Sequence, residues 1–425
     1  MAEVLVIGGG LAGWRAAEAA AQAGAGVTLV ADGAGNSPHI HALNVPVGPG
    51  DSVALFIEDT LRAGRGACDP ALVETLCRES VALAGEFPWD RNADGSFAML
   101  RPLGCSVPRC VSIGHRIGAW ALAKIRRELA ANPRFTEVRG RVTALRRLPD
   151  GGFEAEVWAA DAAPCKTRAV SGAAQDSVAA PSSRTRLVAK SVVLATGGWC
   201  GRYAFSDNPA DLDGAGIALA QSLGADVRDM DAVQLEPTVA LAPAAVRGIP
   251  VITTMLHEGA TFRNRDGAEF LPDKHATKEA LSEAILAEIA AGRGVEGNAG
   301  CTMQNAQCTR HSSGSDAGVW FDATGVAPEV LRTRYADTYN RYAAAGVDIT
   351  REPMLVAPAP HTSLGGLCID TRCRVLAAAD GAPIPGLFAA GECVGGIHGR
   401  GRLGGNAGTE VLVFGRIAGR EAAML

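Results

Sequence analysis

Ile384-Pro385-Gly386-Leu387-Phe388-Ala389-Ala390-Gly391-Glu392 stands near the end of the chain, followed by Gly396-Ile397-His398-Gly399-Arg400-Gly401-Arg402-Leu403-Gly404-Gly405-Asn406 and the segment Glu410 to Gly419. The three pieces read as a strand, a glycine-rich loop and a helix. Leu387 to Ala390 is a short apolar run behind a Pro-Gly turn. The loop carries so few Cβ atoms that its backbone can press against a flat ligand. Val411, Leu412, Phe414, Ile417 and Ala418 recur at helical spacing. The first amides of that helix suit an oxyanion. His398 and Arg402 lie inside the loop, where charge is costly without an anionic partner.

The N-terminus supplies the matching half. An apolar run from Val4 to Ile7 precedes Gly8-Gly9-Gly10-Leu11-Ala12-Gly13, an alanine-rich helix from Trp14 to Ala23, and a second apolar run from Val27 to Val30. This is the strand, G-x-G-x-x-G, helix, strand unit of a dinucleotide fold. Gly8 permits the tight turn, Gly10 the approach of a pyrophosphate, and Gly13 close helix–strand packing. The glycine spacing alone is unspecific; a βαβ setting and the C-terminal return make it specific. Further on, Val192-Val193-Leu194-Ala195-Thr196-Gly197-Gly198 is a buried strand ending in a glycine turn.

Together these stretches resemble the fumarate reductase / succinate dehydrogenase flavoprotein family, which includes L-aspartate oxidase. Its C-terminal pattern is roughly P-G-L-Y-A-A-G-E, H-G-x-N-R-L-G-x-N and V-F-G-R-x-A-G; this chain has Phe388 for Tyr and Gly401 for Asn. The resemblance implies an α/β fold, with a Rossmann-like FAD-binding domain of the glutathione-reductase type and an inserted α+β capping domain. The expected division is 1–226 and 351–425 for the FAD domain and 227–350 for the cap. The chain is expected to be a short member without the family's C-terminal helical domain. The implied FAD contacts are Gly8, Gly10, Gly13, Asn44, Thr196, Gly197, Gly198, Gly391, Glu392, Asn406 and Gly408. Relatives place the ribose-binding acid where this chain has Ala31, so the role passes to Asp32. The histidine that bonds flavin covalently in membrane-bound relatives falls on Pro38, with His39 adjacent and His41 close by, so the FAD is expected to be non-covalent.

Composition narrows the class further. A chain of 425 residues, 48% hydrophobic, is long enough for two or three compact units. A net charge of −5 gives no reason to expect nucleic acid. No apolar run approaches the ~20 residues that span a bilayer, and Val4 already opens a strand, so a cytoplasmic protein without a leader is expected. Eleven cysteines include no C-x-x-C; the near pairs Cys105/Cys110, Cys301/Cys308 and Cys368/Cys373 read as reduced thiols, and no metal site is expected.

Local patterns give further elements. Asp51 to Ala84 reads as helical, Ile117 to Ala130 as an amphipathic helix, and Arg139 to Leu145 with Phe153 to Val157 as strands of a small sheet. Ala159 to Ser183 reads as an exposed loop. Leu281 to Ala291 and Ala327 to Ala345 read as cap helices, and Pro353 to Pro360 as the return to the FAD domain.

Hydride transfer between flavin and an acid-bearing substrate needs cations that polarise a carboxylate and a general acid on the opposite face. The resemblance gives the first role to His361, in the H-x-x-x-G-G position, and to Arg402 of R-L-G-x-N, with His398 as a further substrate or flavin contact. Lys278 falls where the family has its proton-donating arginine. Glu236 replaces a substrate-binding histidine, and its charge would oppose a second carboxylate by ~1–4 kcal/mol at close range. The expected function is an FAD-dependent oxidoreductase acting on a CH–CH or CH–NH group of a small carboxylate other than fumarate. The alternatives are an amino-acid oxidase and a non-catalytic subunit beside an iron–sulfur or other electron-transfer partner.

Overall fold

β1 (Ala2–Ile7) runs into α1 (Leu11–Gln22) and β2 (Val27–Ala31), and the two strands pair in parallel. This computed structural model describes residues 2–102, 104–159, 183–271, 276–296 and 317–425. The expected loop at 159–183 lies, apart from its ends, outside the described residues, as do Cys301 and Cys308. At Gly8, where φ is +123°, a Cβ would come within 2.1 Å of the Ala195 carbonyl oxygen; at Gly13 one would come within 2.0 Å of the Gly8 oxygen. Only glycine lets strand, turn and helix approach so closely.

β3 (Leu43–Asn44) precedes α2 (Val53–Ala63), α3 (Pro70–Ser80) and the one-turn α4 (Leu83–Glu86). The helical stretch expected at 51–84 is thus three helices. Its first break holds Arg65 and Gly66 at φ of +53° and +78°, and Asp69 restarts the helix by accepting from the Ala71 and Leu72 amides, with Pro70 in the first turn. β4 (Cys110–Val111) pairs with β3. α5 (Ile117–Ala130) buries Ile117, Ala121, Leu122, Ile125 and Leu129, the period of an amphipathic helix.

β5 (Phe135–Arg147), β6 (Phe153–Ala159) and β7 (Ser183–Leu194) extend the first sheet. They are not the separate small sheet that the sequence suggests. β5 pairs in parallel with β2 through Phe135–Arg139 and antiparallel with β6 from Gly140 onward. β7 likewise pairs with β6 up to Ala189 and with β1 beyond it. Two long strands therefore weld an antiparallel meander to a parallel sheet. α6 (Ala215–Gln221) lies against the end of β7, where a Cβ on Gly216 would sit 1.9 Å from Thr196 Oγ1.

A second unit follows: β8 (Val227–Arg228), β9 (Val233–Ala242), β10 (Thr261–Arg263), α7 (Lys278–Ala290), β11 (Val295–Glu296), β12 (Ala317–Asp322), α8 (Pro328–Thr333), α9 (Ala336–Ala344) and β13 (Met354–Ser363). Its sheet runs β10-β12-β13-β9 over a core that includes Phe262, Phe321, Leu281, Ile285 and Tyr342. The helix expected at 327–345 breaks at Tyr335, which leaves helical geometry and is itself buried in that core. β13, expected to lie in the FAD domain, is a central strand here, because Met354 and Val356 belong to this core.

β14 (Gly366–Leu367) pairs with β8; β15 (Arg374–Leu376) and β16 (Pro383–Ala389) return to the first sheet, and α10 (Asn406–Ala422) closes the chain. α10 lies directly on α1, where a Cβ on Gly419 would fall 2.0 Å from the Ala16 oxygen. The chain is thus an α/β protein with a Rossmann-like unit built from both ends and an α+β unit inserted between them.

Candidate active site

Three parallel strands end side by side and mark where a ligand belongs. Ile7 of β1 and Ala389 of β16 both register with Leu194 of β7. The chain therefore leaves the sheet at Gly8, Ala195 and Ala390 along one edge, and open parallel sheets take ligands outside such carboxyl ends. Gly197 (φ +73°) and Gly391 (φ +79°) turn the chain there, and a Cβ on Gly198 would meet Ser363 Oγ at 1.9 Å. At the start of α10, Asn44 is buried, its Nδ2 donating to the Gly404 oxygen at 2.8 Å and to Asn406 Oδ1 at 2.6 Å. A Cβ on Gly408 would meet Ile40 Cγ2 at 2.9 Å, so the first turn of α10 seats on the 40–44 segment.

These residues fit FAD. Gly8 and Gly10 make the turn into α1 and Gly13 lies in its first turn, so the helix N-terminus that would meet a pyrophosphate is largely clear of side chains. Thr196 Oγ1 and Asn44 Oδ1 are buried polar atoms without a hydrogen-bond partner, as a ligand-lined groove requires. Asp32 follows β2; partial burial, then Asp211, hold its carboxyl above the ordinary range against the pull of Arg141. Glu392 accepts from the Ser363 amide and hydroxyl, each at 2.9 Å, while burial pushes its carboxyl up. His41 Nδ1 lies 2.9 Å from the His115 oxygen. Burial first, then Arg341 of α9, lower the His39 pKa. Cys393 is wholly buried, its thiol pushed up to about 12.

The polar residues meet where the two sheets adjoin. β13 pairs with β9 but slips register between Ala357 and Ala359 and between Pro360 and Thr362. Proline cannot donate to a ladder, and bulges of this kind re-aim side chains. His361 sits in the second bulge, its Nδ1 2.6 Å from Asp207 Oδ2. The Asp207 side chain is only 2% exposed, that of His361 26%. Asn208 donates to the His361 oxygen at 2.9 Å and Ser206 Oγ to the Pro360 oxygen at 2.8 Å, so the 206–208 loop clamps both backbone and ring. Sequence reading missed Asp207, for nothing near position 207 signals a partner 154 residues away.

Arg402 is half-buried. Its Nη1 donates to the Leu403 oxygen at 3.2 Å, and its Nε is buried without a partner. Burial pulls its pKa down, opposed by Glu392, Glu410, Glu236 and Glu279 in that order. The sequence around Arg402 holds no acid, yet the fold brings four into its field. Among the described residues, none of them lies within ion-pair distance of it. Two positions along β9, Gln234 and Glu236 face the same side. Gln234 Nε2 donates to Glu279 Oε1 at 2.7 Å and to the Arg402 oxygen at 3.0 Å, tying β9, the first turn of α7 and the loop together. Glu236, its side chain 7% exposed, forms an ion pair with Lys278 of α7. His398 Nε2 lies 2.9 Å from Glu410 Oε2, a buried contact with α10 that leaves its Nδ1 without a partner.

The chain is similar to known FAD proteins. A family model described as an FAD binding domain matches residues 3–407. An L-aspartate oxidase of Caulobacter vibrioides is 32% identical over 99% of this chain and 76% of its own length. A subunit of the CoM/CoB fumarate reductase of Methanothermobacter marburgensis is 31% identical over 99% and 72%. Among solved structures, the Sdh1 complex of Mycobacterium smegmatis in its apo form superposes with a TM-score of 0.78 at 28% identity, over 100% of this chain and 68% of that one. Among the described residues no helix is long and apolar enough to cross a membrane.

Proposed function

Because the chain belongs to the FAD-binding flavoproteins of the fumarate reductase and succinate dehydrogenase type, and is an FAD-dependent oxidoreductase, we propose that it acts on a small carboxylate held by Arg402 and His361. The observation that carries this reading is the buried Arg402 Nε without a partner, taken with His361, whose Nδ1 is already engaged by Asp207. A guanidinium in that position is expensive until an anion meets its fork.

FAD, held by the residues that line the groove, supplies the hydride acceptor or donor. The protein does the rest. Arg402 binds the substrate carboxylate and draws charge toward it, which favours reaction at the adjacent carbon. Asp207 accepts from His361 Nδ1, so the ring presents Nε2 to the same carboxylate. Lys278 Nζ, on the cap side, holds the proton that is exchanged with the substrate, and Glu236 keeps the ammonium in place.

Two finer readings stand beside this one. The aspartate oxidase relative supports oxidation of a C–N bond. The Methanothermobacter relative is one subunit of an enzyme, which supports electron exchange with an iron–sulfur partner. The test is spectroscopic: the FAD-loaded chain is mixed anaerobically with saturated acids and amino acids, and its reduced form with unsaturated acids. Bleaching by one of the former, or re-oxidation by one of the latter, is the expected result. A flavin that answers only to an electron-transfer protein contradicts an independent enzyme.

A further inference from the structure

The charges around Arg402 also limit what the rest of the substrate can be, an argument that rests on the carboxylate reading above. The other basic side chains that the fold brings to the site already face a carboxylate: Lys278 has Glu236, His361 Nδ1 has Asp207, and His398 Nε2 has Glu410. Arg402 alone among them has none within ion-pair distance among the described residues, while Glu279 stands beside it, held by Gln234. Arg402 is therefore the one group among these left to pair with an added anion. A second carboxylate reaching for Lys278 would meet Glu236, whose side chain is almost fully buried. Displacing Glu236 from its lysine would leave a buried carboxylate unpaired, which is strongly unfavourable.

We infer that the substrate carries a single carboxylate and no second anionic group, and that Glu236 is the specificity-determining residue that excludes a second one. The position of Glu236 supports this. It lies on the same face of β9 as Gln234, whose amide touches the Arg402 backbone, and it registers with Ala359 two residues before His361. It thus stands near the Arg402 loop and within the field of its guanidinium, so its charge reaches a short substrate held there. Repulsion built against the wrong ligand is a general route to specificity.

The experiment compares ligands of equal length on the FAD-loaded chain. Crotonate and butyrate are titrated against fumarate and succinate, and Kd is read from the flavin difference spectrum. The monocarboxylates are expected to bind at least about ten-fold more tightly than their dicarboxylate partners. Glu236→Gln, which frees the Lys278 ammonium, is expected to narrow or reverse that ratio by tightening the dicarboxylates. The wild-type ratio is decisive even if that variant fails to load FAD. Dicarboxylates that bind as tightly as monocarboxylates overturn the inference while leaving the Arg402 site intact. A ratio unchanged in Glu236→Gln overturns the role of Glu236. A spectrum that no carboxylate of either class perturbs removes the carboxylate site itself, and the inference with it.

Discussion

Asp207 and His361 are 154 residues apart and 2.6 Å from one another. If Asp207 works by holding the imidazole, its loss should matter only while the imidazole is there. Asp207→Ala is therefore expected to lower kcat/KM by about 10–100-fold, the scale on which a misplaced catalytic group costs rate. In a His361→Ala background the same change should add almost nothing. A double-mutant cycle reads this directly, and additive losses would show that Asp207 acts by another route. The contrast with Arg402 shows what a sequence can tell at this scale. Arg402 lies in a glycine loop of recognisable order, so its place is legible. Asp207, the pairing of Lys278 with Glu236, and the approach of Glu236 and Glu279 to Arg402 arise only when distant elements are brought together. No local pattern encodes them.

At the scale of elements, legibility follows the strength of the local signal. α5 ends where its apolar period and the following Ala-Asn-Pro predict. α7 begins three residues before the expected Leu281, because Thr277 caps it through the Ala280 amide, and that shift places Lys278 and Glu279 in the first turn. The sheets are harder. β5 and β7 each pair with different partners along their length, and a strand's period of two does not say which neighbour it meets. For the same reason the sequence of β13 does not reveal to which unit it belongs. Near the far end of α7, Glu288 accepts from Arg293 at 2.7 and 2.8 Å and from Asn264 Nδ2 at 3.0 Å. Those contacts, led by the Arg293 hydrogen bond, hold its carboxyl down at about 2, below its ordinary 4.5. A depressed acid contributes stability that is present above the unfolded value and lost as pH falls through the folded one. Glu288→Gln should thus cost about 0.5–1 kcal/mol at pH 7, the scale of a surface pair. The difference in Tm from wild type should shrink as pH falls from 4.5 toward 2. A deficit equally large at low pH would mean that shape, not charge, is at stake.

At the scale of the whole molecule, the site exists because two sheets share a boundary. The parallel sheet delivers the glycine turns and the Arg402 loop; the inserted sheet delivers His361, Glu236 and, through α7, Lys278. Neither unit alone holds both the glycine turns and the charged residues of the site. The central claim is that this boundary binds a carboxylate through Arg402 while FAD is held elsewhere in the groove. The most direct measurement is the Kd of a small carboxylate on the FAD-loaded protein, wild type against Arg402→Lys, with FAD content determined in the same samples. Lysine keeps the charge and loses the fork, so binding should weaken by about 1.5–3 kcal/mol, roughly 10–150-fold, with FAD content unchanged. Loss of the flavin would make Arg402 a cofactor brace, and unaltered carboxylate binding would place the substrate elsewhere; either result contradicts the account.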